Sequence, residues 1–278
     1  PLGGRREVQE DAVDATRPGL FRFLGRYMSA SLRAQMQYPA SAALLVFGQF
    51  LGTIADLVAI WALFARFGAI EGWRFGDVAM FFGIVSISFS IADFFSRGFD
   101  VLGTEFVKTG NFDRILLRPR TVTLQLIGHD FRLSRAGRFL QGVVVTVIGT
   151  RSVNLHWDAP TIALAVWTIA GGVALFFGLM VIQGAISFWT TESLEAMNLL
   201  TYGGVQAAEF PISIYAGWFR NFLIFVVPIG CVAYFPVLAI LGRPDPLGAP
   251  GWVLPLTPAA GFLFLGASFI AWHAGVAK

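Results

Sequence analysis

The sequence predicts an all-α integral membrane protein: six transmembrane helices, an amphipathic interfacial helix before the first, and a short cytoplasmic helix between the second and third. Composition is the first reason. Hydrophobic residues make up 56% of the 278 and charged residues only 13%, about half the charged share of a soluble domain. The second is arrangement, since the apolar residues come in blocks long enough to cross a hydrocarbon core of about 30 Å. The third is that Lys and Arg crowd beside some of these blocks and avoid others. The mean hydropathy is +0.68 and the net charge is +3, with the basic residues gathered beside the apolar blocks. Membrane lipid, and not nucleic acid, is therefore the expected partner surface.

Residues 1–17 are polar and of mixed charge, and are expected to form a flexible cytoplasmic N-terminus. From Pro18 the pattern changes. Leu20, Phe23, Leu24, Tyr27, Met28 and Leu32 recur at helical spacing, while Arg22, Arg26 and Arg33 fall largely on another face, which predicts an interfacial helix over 18–38. A single transmembrane domain is expected over 39–278. No apolar core with a small-residue cleavage site precedes it, so the first span is expected to act as the insertion signal.

Span one is predicted over Ala42–Ala65 and span two over Val78–Phe95, joined by a turn too short to hold a domain. The polar segment 96–138 follows and is the longest charged stretch between spans. Span three, Arg138–Val153, has a short apolar centre, and span four runs over Thr161–Trp189. Thr190–Tyr215 carries Glu192, Glu195, Asn198, Gln206 and Glu209, too many polar groups for a lipid-facing helix, so it is expected at the inner surface. Trp218–Leu241 then becomes span five and Ala259–Ala277 span six. The alternative is that Thr190–Phe210 crosses inside the protein and Pro211–Pro228 is re-entrant.

Six spans return both termini to one side. Of the 20 basic residues, all but Arg66, Arg74, Arg151 and Arg243 then lie on that side, Arg220 among them, as cytoplasmic termini require. Tryptophans follow the same division. Trp61, Trp73, Trp157 and Trp252 sit near one boundary, and Trp189, Trp218 and Trp272 near the other, where indoles suit the interface.

Enzyme signatures are sparse. There is no GxxxxGK[ST], so the chain does not supply its own P-loop. His129, His156 and His273 lack ligand spacing, and the lone Cys231 sits in an apolar block, so no metal site and no catalytic residues are expected. Charge inside the spans is more informative, because a carboxylate there faces a partner or a wet cavity. Asp56 lies mid-way along span one, with Gln49 two turns earlier on a similar face. They are read either as lining a translocation path or as bonding between helices. Asp93, near the inner end of span two, is read first as a tie between helices or a snorkelling group, and otherwise as lining a translocation path or gate. Gly48, Gly52, Gly171, Gly172 and Gly178 are expected to permit close helix packing.

Between spans two and three, Glu105 precedes a compact run over 111–119. Asp113 can cap a short turn, Pro119 can stop it, and Phe112, Leu116 and Leu117 give it an apolar side. Such a knob either docks into a groove on a soluble partner or forms a basic loop on anionic lipid.

The stretch TGNFDRILLRPR, with the preceding RYMSASLRAQMQYP and the later FWTTESLEAMN and FPISIYAGWFR, resembles the permease subunits of type-2 ABC exporters. It is similar in particular to a bacterial branch whose permeases work in pairs with a separate ATPase. The resemblance implies an elbow helix at residues 18–37 and a coupling helix within 98–120. It also implies a working unit of two permease chains, identical or homologous, with two nucleotide-binding subunits at the bacterial inner membrane. Glu105, Phe112, Asp113, Arg114, Leu116 and Leu117 would then contact the ATPase, which binds the ATP and Mg that this chain does not. A different class, an ion channel or ion-coupled secondary transporter, would use Asp56 to bind its ion. The two halves of the chain show none of the similarity that often accompanies inverted-repeat transporters.

Overall fold

Long apolar runs interrupted by Gly, Pro and charged turns leave the backbone one economical choice in lipid, the helix, which satisfies its own N–H and C=O groups. The computed structural model describes residues 20–117, 121–129, 131, 135–190 and 194–277. The expected tail over 1–17 lies outside the described residues, as do the first positions of the interfacial helix and residues 118–120, 130 and 132–134 of the segment after span two.

In chain order the helices are α1 (Leu20–Gln35), α2 (Pro39–Phe67), α3 (Phe75–Asp100), α4 (Phe112–Leu116), α5 (Val122–Ile127), α6 (Arg135–Ser152), α7 (Ala159–Ile186) and α8 (Leu194–Ala208). After them come the short α9 (Gly217–Asn221), α10 (Ile229–Val232) and α11 (Tyr234–Ile240), and finally α12 (Ala259–Val276). Among the described residues there is no strand, only an isolated bridge between Ile70 and Trp73 in the turn after α2. One helix start is capped by a carboxylate. Asp158 caps α7 by accepting from the Thr161 N–H at 3.0 Å, with Pro160 in the first turn, and the Thr161 bonds hold the Asp158 carboxyl below the ordinary carboxylate range.

The core is α3, packed against α6 on one side and α7 on the other, with α12 behind α7. Small residues make these approaches possible. A Cβ at Gly83 of α3 would stand 2.7 Å from the Thr146 backbone nitrogen of α6, and one at Gly142 2.9 Å from the Ile87 nitrogen. Gly171, Gly172 and Gly178 meet Pro258, Ser88 and Ser268 as closely. Gly48 and Gly52 differ: among the described residues nothing lies within 4 Å of either added Cβ. On α6 the usual pattern is inverted. Gly137, Gln141, Gly142 and Gly149 face in, whereas Phe139, Leu140, Val144 and Val147 are exposed, an arrangement that suits lipid as the solvent.

Among the described residues, four helices are long and apolar enough to cross a membrane: Pro39–Phe67, Phe75–Val107, Ala159–Ile186 and Leu254–Val276. This is a multi-pass membrane protein. Of the six spans expected, Trp218–Leu241 is not one continuous helix: Gly217–Val226 and Ile229–Ile240 meet at 71°, as in a broken span or a re-entrant loop, and the break coincides with Pro228, whose ring cannot continue the helix.

The described part of Thr190–Tyr215 is not confined to one end of the bundle. Near its start Gln183 of α7 donates to Asn198 at 3.1 Å and to Asp100, at the far end of α3, at 2.9 Å. Just past its finish the Trp73 indole, before the opposite end of α3, donates to Ser213 at 3.0 Å. Thus α8 and the turn after it run along the bundle from the Asp100 end to the Trp73 end. Trp218 and Arg220, expected near the inner boundary, follow Ser213 in the short helix α9.

Candidate functional site

Two features stand out from the packed core, a knob at the Asp100 end and a polar groove along the bundle. The knob begins where α3 loosens into a π-helical turn over Leu102–Val107 and reverses at Gly110, whose φ of +70° favours glycine. It is pinned from below. The Phe112 ring meets Phe188 at 5.0 Å, Phe106 meets His129 at 5.1 Å, and Gln125 donates to the buried Ile115 carbonyl at 3.0 Å. Trp272 donates to Thr123 at 3.0 Å, tying α5 to α12. What this framework presents outward is Leu117, 85% exposed, and Leu116, 53% exposed, flanked by exposed Asp113 and Arg114. Glu105 is exposed beside them, 3.5 Å from His129. Of the six expected contact residues, five therefore face out, and Phe112 turns inward as an anchor.

The groove runs between α2, α3, α6 and α8. At the Asp100 end it widens into a cavity of about 210 Å³ lined by Gln49, Ser90, Asp93, Arg97, Arg135, Arg138 and Tyr202. Further along, a cavity of about 360 Å³ is lined by Asp56, Ile60, Phe82, Arg138, Tyr202, Glu209 and Phe210. Arg138 and Tyr202 belong to both, so the two cavities adjoin. Gln49 and Asp56, read as path residues from sequence, fall in the first and second respectively.

Asp93 is a tie between helices: Arg135 reaches its carboxylate at 2.8 Å and its backbone carbonyl at 2.8 Å, joining α3 to α6. Arg97 pairs with Asp100, which also accepts from Gln183 and, at 3.5 Å, from Tyr202. Arg138 is different. Its guanidinium lies 5.1 Å from the Phe89 ring centre, and it has no hydrogen bond or ion pair among the described residues. The sequence reading missed Arg138, Tyr202 and Glu209 as groove residues. Only their cost in a membrane could have flagged them.

At the other end a second polar cluster closes the bundle. Asp77, 1% exposed, accepts from Arg243 at 2.9 Å and from the Arg74 N–H at 2.9 Å. Tyr234 donates to Asp245 at 3.0 Å and stacks on Phe81, with ring centres 6.0 Å apart. These bonds hold the bent segment and the loop after it against the start of α3. Among the described residues no group of three or more His, Cys, Asp or Glu is placed to hold a metal ion.

A helical membrane bundle with a charged groove along its length and an apolar knob at one end is built as a membrane transport component. The comparisons agree and are specific. The family model for ABC-2 family transporter proteins matches residues 50–278, and the chain belongs to that family as a type-2 ABC permease. No curated protein and no solved structure matches it.

Proposed function

We propose that this permease is one membrane half of an exporter whose ATP is hydrolysed by separate nucleotide-binding subunits. The observation that carries the reading is the knob. Two leucines held in water by a fixed frame beneath them are poorly placed for a solitary protein, and well placed to enter a groove on a soluble motor. Its motion would pass directly to α3, which the knob continues, and through α5 to α12.

The topology follows. With the knob cytoplasmic, α8 and the extended turn after it form the fifth crossing, α6 the third, and the bent segment over 217–240 a re-entrant element at the outer face. Both termini lie inside, at the bacterial inner membrane. Moving Arg220 outward leaves the excess of basic residues on the knob side. The uncovered side of α2 beside the groove is where a second permease chain, identical or homologous, completes the path. ATP and Mg belong to the partner subunits.

The test is reconstitution with the ATPase encoded nearest to this gene. The expected result is a stable complex with stimulated ATP turnover. Replacing Leu116 and Leu117 together by Asp lowers transport at least tenfold while insertion is unchanged. Failure to form a complex, or transport unaffected by the double substitution, contradicts the reading. Transport that persists in ATP-depleted vesicles supports an ion-coupled carrier centred on Asp56 instead.

A further inference from the structure

The bent segment starts and finishes near Trp73. Ser213, just before it, accepts the Trp73 indole N–H at 3.0 Å, and the ring of Tyr234, in its second limb, lies 6.1 Å from that of Trp73. Between the limbs, the turn at Val227 and Pro228 is seated on α8, where a Cβ at Gly204 would stand 2.9 Å from the Ile229 side chain. Next to that seat the fit fails. A cavity of about 230 Å³ remains between Leu199, Leu200 and Gly203 of α8 and Phe222, Leu223 and Val227 of the bent segment, and every residue lining it is apolar or glycine.

The gap traces to Gly203. A Cβ there would meet only Leu199 of its own helix, at 3.4 Å, and nothing from the bent segment within 4 Å. Water gains little by entering, since the walls offer it no side-chain hydrogen-bond partner, while an empty space costs the surrounding side chains their dispersion contacts. Hydrocarbon meets both conditions. The mouth lies among exposed apolar residues: Leu199, on the wall, is exposed, and so are Phe225 and Val226 of the adjoining limb. A helix, about 10 Å across with its side chains, is too broad to enter, whereas a single alkyl tail is thin and flexible enough. Because lipid tails are as apolar as leucine, packing and not dehydration holds one there.

We propose that this cavity holds the hydrocarbon tail of a bilayer phospholipid, which completes the packing of the bent segment on α8. The site goes beyond the exporter reading and does not depend on it.

The experiment uses the full chain in vesicles of phosphatidylethanolamine and phosphatidylglycerol with a trace of phosphatidylcholine that carries a diazirine at the end of one tail. After irradiation, the labelled positions are mapped by peptide mass spectrometry. A tail held in the cavity labels Leu200, Phe222 and Leu223 about fivefold more than the exposed Val144 and Val147 of α6, which meet lipid only in passing. Gly203→Leu fills the space and removes that excess while the labelling of α6 is unchanged. Cavity labelling no greater than that of α6, or an excess that survives Gly203→Leu, overturns the proposal. An excess that vanishes when two copies of the chain associate gives the cavity to the second copy and overturns it too. The comparison of cavity with α6 in the unaltered chain stands even if the variant folds poorly.

Discussion

Helices α2 and α3 are equally apolar, yet 78% of the most apolar stretch of α3 is buried and only 6% of that of α2. Hydropathy therefore selects the solvent and says little about neighbours. What separates the two is the placement of small residues. On α3, Gly76, Gly83 and Gly98 admit α6 and α5 to backbone contact, while Gly48 and Gly52 on α2 meet nothing among the described residues. Leu44, Leu45, Phe47, Leu51, Val58 and Trp61 are left exposed. Lipid can cover leucines but cannot satisfy the carboxylate of Asp56 on the same helix, so the bare face of α2 calls for a protein or a wet path beside it.

That contrast can be broken by substitution. The largest effect is expected for Gly83→Leu, which forces α3 and α6 apart and costs about 3 kcal/mol or more. Monodisperse protein should be lost on size-exclusion chromatography. Next comes the end of α3 that holds the bent segment. Arg243→Gln strands the buried Asp77 carboxylate, and because Arg243 itself is partly exposed the cost is about 2 kcal/mol, read as a lower thermal midpoint in detergent. Smallest is the same leucine on the bare helix: Gly52→Leu changes the stability of the isolated chain by about 0.5 kcal/mol or less. A large loss there would mean that α2 already has a neighbour within the chain.

The spans that the sequence located are those with uninterrupted apolar runs. Ala42–Ala65, Val78–Phe95, Thr161–Trp189 and Ala259–Ala277 each fall within a few residues of a helix of the structure. Where reading failed, the missing information was long-range. Asn198 suggests a water-facing surface until Gln183, on another helix, is seen to bond it. The Asp77–Arg243 pair joins residues from opposite halves of the chain, and no local pattern announces it. Asp56 and Gln49 were legible because polar groups in an apolar run are conspicuous. Arg138 was not, because an arginine at the edge of a short span looks like an interfacial anchor.

The knob's short helix over Phe112–Leu116 falls where the sequence reading places it, but the expected Asp113 cap is not made, since Asn111 stands at the N-cap without a side-chain bond, and Pro119 lies outside the described residues. The knob's side of the membrane is the claim on which the mechanism depends. The direct measurement is maleimide labelling of Leu117→Cys in a Cys231→Ser background, comparing intact cells with inverted membrane vesicles. The account predicts labelling only in inverted vesicles, and protection there once the ATPase is bound. Labelling from outside intact cells would contradict it.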